Sequence, residues 1–160
     1  MEINELLLKT IFCCMACDGD IAPEEISLVK EFAESNPALK VLNIQEILNG
    51  YVKEINEKGK AFLFAYLNEV SKTEIPEDYQ LQMVKAAISM IEADNKVEYS
   101  EVSFFKEIRL RLSISDEAIL SELPDKEDYL LPDIKRDDIF DALTFSFSDI
   151  NFASPISEQN

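Results

Sequence analysis

Two acidic turns contain the side chains with the clearest capacity for chemistry in this sequence. Each turn places an aspartate seven positions before a glutamate, in the pairs Asp18 with Glu25 and Asp94 with Glu101. Asp20 adds a further carboxylate to the first turn. Carboxylates bind metal ions, accept hydrogen bonds from turn amides, or simply face solvent. The two turns are therefore a candidate site, but they indicate no particular reaction.

The two turns belong to an internal repeat. Asp18 and Asp94 lie 76 positions apart, and identical residues recur at the same offset on both sides of the turns. These identities are Lys9 with Lys85, Ser27 with Ser103, Lys30 with Lys106 and Glu31 with Glu107. The repeat predicts two pseudo-symmetric halves, each with an acidic turn between two helices.

The apolar pattern predicts an all-α fold. Residues 3–17 are apolar around most of a helix, which indicates a central, buried element. Gly19 is typical of a helix end and Pro23 of a helix start. Further helices are predicted over residues 23–34, 43–58, 61–70, 76–91, 100–112 and 116–123, although the short run 61–70 also fits a buried strand by pattern alone. We expect a single helical-bundle domain of about seven helices.

The last part of the chain differs from the repeat. We assign residues 1–123 to the helical domain and residues 124–160 to an acidic C-terminal tail that packs on it, partly ordered, with its last residues frayed. Within the tail, residues 144–148 alternate as in a strand.

Composition limits the classes of function. The formal net charge of −17 disfavours nucleic acid, whose recognition needs clustered basic residues, and is compatible with cations or basic protein surfaces. No run of 18 apolar residues predicts a membrane span, and the acidic N-terminus is unlike a secretory signal, so we expect a cytoplasmic protein. Without histidine, a phosphate-binding glycine loop or a nucleophile–base pair, the sequence predicts no enzyme.

Two clusters in the helices are interpreted as core. Cys14 and Cys17 form a Cys-x-x-Cys pair at the end of a helix, whereas redox pairs lie at a helix N-terminus, so we expect them to be buried and reduced. Phe62, Phe64 and Tyr66 are likewise expected to pack in the core.

The first turn also matches the latter part of an EF-hand loop, with Asp18, Gly19 and Glu25 at the expected relative spacing. The first two ligand positions of such a loop fall on Cys14 and Ala16, which offer no carboxylate. A self-contained EF-hand is therefore not expected.

The doubled turn resembles the TerB-like tellurite-resistance family. In that family each half contains an Asp-Gly-x-Ile/Val turn followed by a glutamate that opens the next helix. Residues 17–25 are similar to the first motif and residues 94–101 to the second, where Asn95 replaces the glycine and Lys96 stands opposite Asp20. The resemblance covers residues 1–123.

The resemblance implies a non-catalytic, stress-associated module that binds a divalent cation. The ligands implied by position are Asp18, Glu25, Asp94 and Glu101, and Asp20 of the first turn, which lies between a ligand and a solvated residue, is included in the candidate set. Converging carboxylates repel one another and favour a cation, and oxygen ligation suits Ca²⁺ or Mg²⁺, whereas zinc is poorly served without histidine.

Two alternatives stay open. Each glutamate is also placed to cap its helix and each aspartate to bond turn amides, in which case the turns are structural. The acidic surface could instead dock a basic protein partner without a metal. The pattern identifies neither the partner nor the oligomeric state.

Overall fold

A computed structural model describes residues 3–19, 21–93, 99–131 and 147. The described chain folds into eight α-helices and one 3₁₀ helix. The helices are α1 Ile3–Ala16, α2 Pro23–Ser35, α3 Pro37–Lys40, α4 Ile44–Lys58, α5 Lys60–Lys72, α6 Glu77–Glu92, α7 Tyr99–Leu110 and α8 Asp116–Glu122, and the 3₁₀ helix is Glu127–Leu130.

Helix α1 is the centre of the bundle. Every residue from Leu6 to Cys17 is buried, including the polar Lys9 and Thr10. The most extensive contact of α1 is with α6, and it also packs on α3, α4, α5 and α7. A helix that is apolar on nearly all sides can bury its surface only if neighbours surround it, which explains the central position.

Local signals in the sequence set the ends of the helices. Gly19 has φ 84° and Gly59 has φ 63°, values that glycine adopts without the strain of a side chain. Gly59 separates α4 from α5. The side chain of Asn43 accepts a hydrogen bond from Glu46 N at 3.3 Å and caps α4.

The prediction of an all-α domain is confirmed. Seven helices of at least seven residues are present in the described ranges, which contain no strand, and the run 61–70 is helical. The single-turn α3 is an addition to the predicted elements. The two-fold relation of the halves stays a prediction, and residues 144–148 lie outside the described residues except for Phe147.

One aromatic residue departs from its predicted burial. Phe62 and Tyr66 are buried, but Phe64 is 44 % exposed. Phe62 and Tyr66 are four positions apart and share a helix face, whereas Phe64 lies two positions from each and points to the other side. The interpretation of all three as core was therefore wrong for Phe64.

The repeat positions 9 and 85 have different surroundings. Lys9 is 7 % exposed, its Nζ lies 2.8 Å from Glu69 Oε1, and it stands 4.9 Å from the ring centroid of Phe62. Lys85 has a side chain that is 43 % exposed and pairs with Glu122 at 3.4 Å. The first lysine therefore belongs to the core and the second to the surface.

Gln80 ties two connecting segments together. Its Oε1 accepts hydrogen bonds from Ser113 N and Ile114 N, both at 2.9 Å. Its Nε2 donates to Ile75 O at 2.8 Å and to Ser113 Oγ at 3.0 Å. Because Gln80 is 5 % exposed, these bonds satisfy polar groups that water reaches poorly.

Candidate functional site

The first acidic turn follows directly from the end of α1. Gly19 N donates to Ala16 O at 3.0 Å, and its positive φ turns the chain toward α2. Asp18 is half-buried in this turn. The turn thus holds Asp18 at the buried end of the central helix.

Glu25 is the third residue of α2 and is 5 % exposed. Its Oε1 accepts a hydrogen bond from Ala22 N at 2.9 Å, which satisfies an amide ahead of the first helical turn. This bond is the one expected from the structural alternative, in which the glutamate caps its helix. Capping engages one carboxylate oxygen and does not remove the charge.

Glu101 occupies the equivalent place in the second half. It is the third residue of α7 and is likewise 5 % exposed. Each turn aspartate is followed seven residues later by a glutamate, and both glutamates are buried at the third position of a helix. Buried glutamates are uncommon because removing a carboxylate from water is costly.

The charges of Glu25 and Glu101 both act on a thiol in the last turn of α1. Burial raises the pKa of the Cys14 thiol, and the charges of Glu101 and Glu25 raise it further. Burial likewise raises the pKa of Cys17, with additional contributions that include those of Asp18 and Glu101. Carboxylates from both halves therefore act on the same last turn of α1.

The structure places three of the five predicted ligands. Asp18, Glu25 and Glu101 are described, whereas Asp20 and Asp94 lie outside the described residues. Within the described ranges no group of three or more acidic, cysteine or histidine side chains is arranged to hold a metal ion. The cation site therefore stays a prediction.

The cysteines are buried as predicted. Cys13, Cys14 and Cys17 are free thiols with at most 1 % exposure. Cys17 Sγ donates to Cys14 O at 3.5 Å, which is a local contact within the end of the helix. Burial raises the pKa of all three, so the thiols are neutral and poor nucleophiles at neutral pH.

A hydrogen-bonded cluster of Glu92, Lys126 and Tyr129 was not predicted from the sequence. Glu92, the last residue of α6, accepts hydrogen bonds from Lys126 Nζ at 2.8 and 2.9 Å and from Tyr129 OH at 2.9 Å. The Tyr129 ring stacks edge-to-face on Phe105 of α7, with centroids 5.8 Å apart. The 3₁₀ helix therefore joins the helices on both sides of the second acidic turn.

The charge of Glu101 also reaches this group. Burial raises the pKa of Tyr129, the hydrogen bond to Glu92 raises it further, and Glu101 adds a smaller effect. No sequence signal identified the group, since Lys126 and Tyr129 lie 34 and 37 residues from Glu92.

The described helices define a class of all-α domains in which α2 and α7 each bury a glutamate at their third residue. The family model described as tellurite resistance protein TerB matches residues 7–121, and the chain belongs to this family. The curated proteins and the solved structures give no match. Among the described helices, none has the length and apolar character required to cross a membrane.

Proposed function

We propose that this TerB-family protein is a non-catalytic, cytoplasmic, stress-associated module that binds Ca²⁺ or Mg²⁺ through acidic residues of both halves. The proposed ligands are Asp18, Asp20, Glu25, Asp94 and Glu101. The observation that carries the proposal is the pair of buried glutamates, each 5 % exposed, whose charges both act on the Cys14 thiol.

The physical reason is charge compensation. Glu25 and Glu101 carry like charges into the same weakly solvated region, where repulsion is screened less than at the surface. A divalent cation would compensate both charges at once. Carboxylate oxygens suit a hard cation, and turn residues supply the further oxygens that six- to eight-fold Ca²⁺ coordination needs.

Thermal unfolding with and without cation, combined with isothermal titration, tests the proposal. A cation present at about 100 times its dissociation constant stabilises the folded state by about 2.7 kcal/mol, because the unfolded chain offers no formed site. We expect saturable binding by the wild type and weaker binding by Asp18→Asn and by Asp94→Asn. The specific expectation is that a substitution in either half weakens cation binding.

Glu25→Gln separates the cation site from the capping role. The amide keeps an acceptor oxygen for Ala22 N but removes the charge. Under the proposal this variant loses cation binding, while its stability without cation is unchanged or higher. Glu24→Gln changes an exposed neighbour and is the matched control. If no heat is released at millimolar Ca²⁺ and Mg²⁺, the turns are structural.

The net charge of −17 favours a second candidate, a metal-free domain that docks a basic protein. Such docking weakens as salt screens the charges and does not saturate with Ca²⁺ or Mg²⁺. Binding of a lysine-rich peptide at two salt concentrations, with and without cation, separates this function from the first.

A further inference from the structure

A contact between α4 and the C-terminal tail has the form of peptide recognition. Asn56 Nδ2 donates to Phe147 O at 2.8 Å, and Phe147 N donates to Asn56 Oδ1 at 2.6 Å. One side-chain amide thereby engages both main-chain groups of a single residue 91 positions away.

The geometry corresponds to that of a strand partner. In an antiparallel ladder a hydrogen-bonded pair exchanges two bonds, and the N–H and C=O of one residue point to the same side. Asn56 supplies one donor and one acceptor in the same relation. The contact therefore selects an extended residue through its main chain, without reference to the residue's identity.

The aromatic ring supplies the remaining recognition. Phe147 is half-buried and packs against the hydrophobic core, although Asn56 itself is exposed on α4. Main-chain hydrogen bonds combined with a site for one side chain are the elements by which proteins capture extended peptides. Both partners in this contact belong to the same chain, so Phe147 is a tethered occupant of the site.

We propose that the surface of α4 around Asn56 is a peptide-binding site for an extended segment with an aromatic residue, and that Phe147 occupies it as an intramolecular ligand. The partner that fits is a protein segment with the chemistry of residues 144–150, in which phenylalanine is flanked by small polar residues. Such a segment binds by displacing the tail.

The test uses the full chain and a fluorescent synthetic peptide of residues 144–150, with anisotropy as the readout. Phe147→Ala removes the ring of the tethered ligand. Because a tethered ligand competes at millimolar effective concentration, we expect the peptide to bind this variant about tenfold or more tighter than the wild type. A peptide with alanine in place of phenylalanine at position 147 should not bind.

Two double variants locate the site. Asn56→Ala added to Phe147→Ala should abolish the gain in peptide binding, whereas Asn68→Ala, which changes an exposed asparagine of α5, should leave it intact. Equal peptide binding by the wild type, the Phe147→Ala variant and the Asn56 double variant would overturn the proposal, as would no binding to the Phe147→Ala variant.

Hydrogen exchange keeps the proposal testable if the Phe147→Ala variant fails to fold. Asn56→Ala changes an exposed helical position to the best helix former, so folding is not at risk. We expect the Phe147 amide to exchange about fivefold or more faster in this variant, the order expected for the loss of one exposed hydrogen bond. Unchanged exchange would refute the contact. If the wild type is a dimer that dissociates in this variant, the ligand is the tail of a second copy and the intramolecular proposal is overturned.

Discussion

The three buried thiols predict a steep loss of stability at alkaline pH. Burial raises the pKa of Cys13, Cys14 and Cys17 in the folded protein above the unfolded value of 9.0. The folded state therefore keeps three protons that the unfolded chain releases as the pH rises through 9. Since stability falls wherever the folded state binds more protons, the loss begins near pH 9 and continues up to the folded pKa values.

The magnitude follows from the unfolded pKa alone. At pH 10 each unfolded thiol gains about 1.4 kcal/mol from ionisation, provided that the folded thiol stays neutral. Three thiols together lower the free energy of unfolding by about 4 kcal/mol between pH 7 and pH 10, which is a large part of the roughly 5–15 kcal/mol that stabilises a typical domain. Buried tyrosines steepen the loss above pH 10, because burial also raises the pKa of Tyr66.

Urea unfolding under reducing conditions, followed by circular dichroism at several pH values, measures the effect. Cys14→Ala lowers the stability at pH 7 by leaving a small cavity, but it should also reduce the loss between pH 7 and pH 10 by about a third, or about 1.4 kcal/mol. The pH dependence is thus separated from the cost of the substitution. An identical pH dependence in wild type and variant would refute the reasoning, as would rapid labelling of the native thiols at pH 8.

Three further substitutions test the interior contacts, each by urea unfolding. Gln80→Ala removes four hydrogen bonds and leaves the buried amide of Ile114 without a partner, so we expect a loss of about 3 kcal/mol. The half-buried Gln82→Ala should lose less than about 1 kcal/mol, and equal losses would contradict this. Tyr129→Phe keeps the stacked ring and removes the hydroxyl, at an expected cost of about 1 kcal/mol, and no cost would show that the bond to Glu92 contributes nothing. Glu69→Gln leaves the buried ammonium of Lys9 without its anion and should cost about 2 kcal/mol more than Lys9→Met, which keeps the packed stem.

Local signals were sufficient to predict most helix boundaries. Gly19 and Pro23 marked the first turn, and the position of Glu25 allowed the capping bond from Ala22 N as one of two alternatives. The single-turn α3 was not predicted, because Pro37 was interpreted only as the end of α2. Proline also suits the first position of a helix, and α3 begins at this residue.

Contacts between distant residues could not be predicted. The sequence shows a glutamate after each turn. The burial of Glu101 and the effect of its charge on the pKa of Cys14, however, depend on how α7 packs against α1. The bonds that Glu92 accepts from Lys126 and Tyr129 likewise depend on tertiary packing and leave no periodic trace in the sequence.

The unequal surroundings of the two repeat lysines limit how the chain could be rebuilt. Lys9 lies among aromatic rings and an acidic partner, whereas Lys85 stands at the surface. The groups around Lys9 lie on α4 and α5, which precede the second copy of the sequence repeat. A protein made by joining two copies of the second repeat would lack α4 and α5 and would lose the buried pair, so the two repeats are not interchangeable.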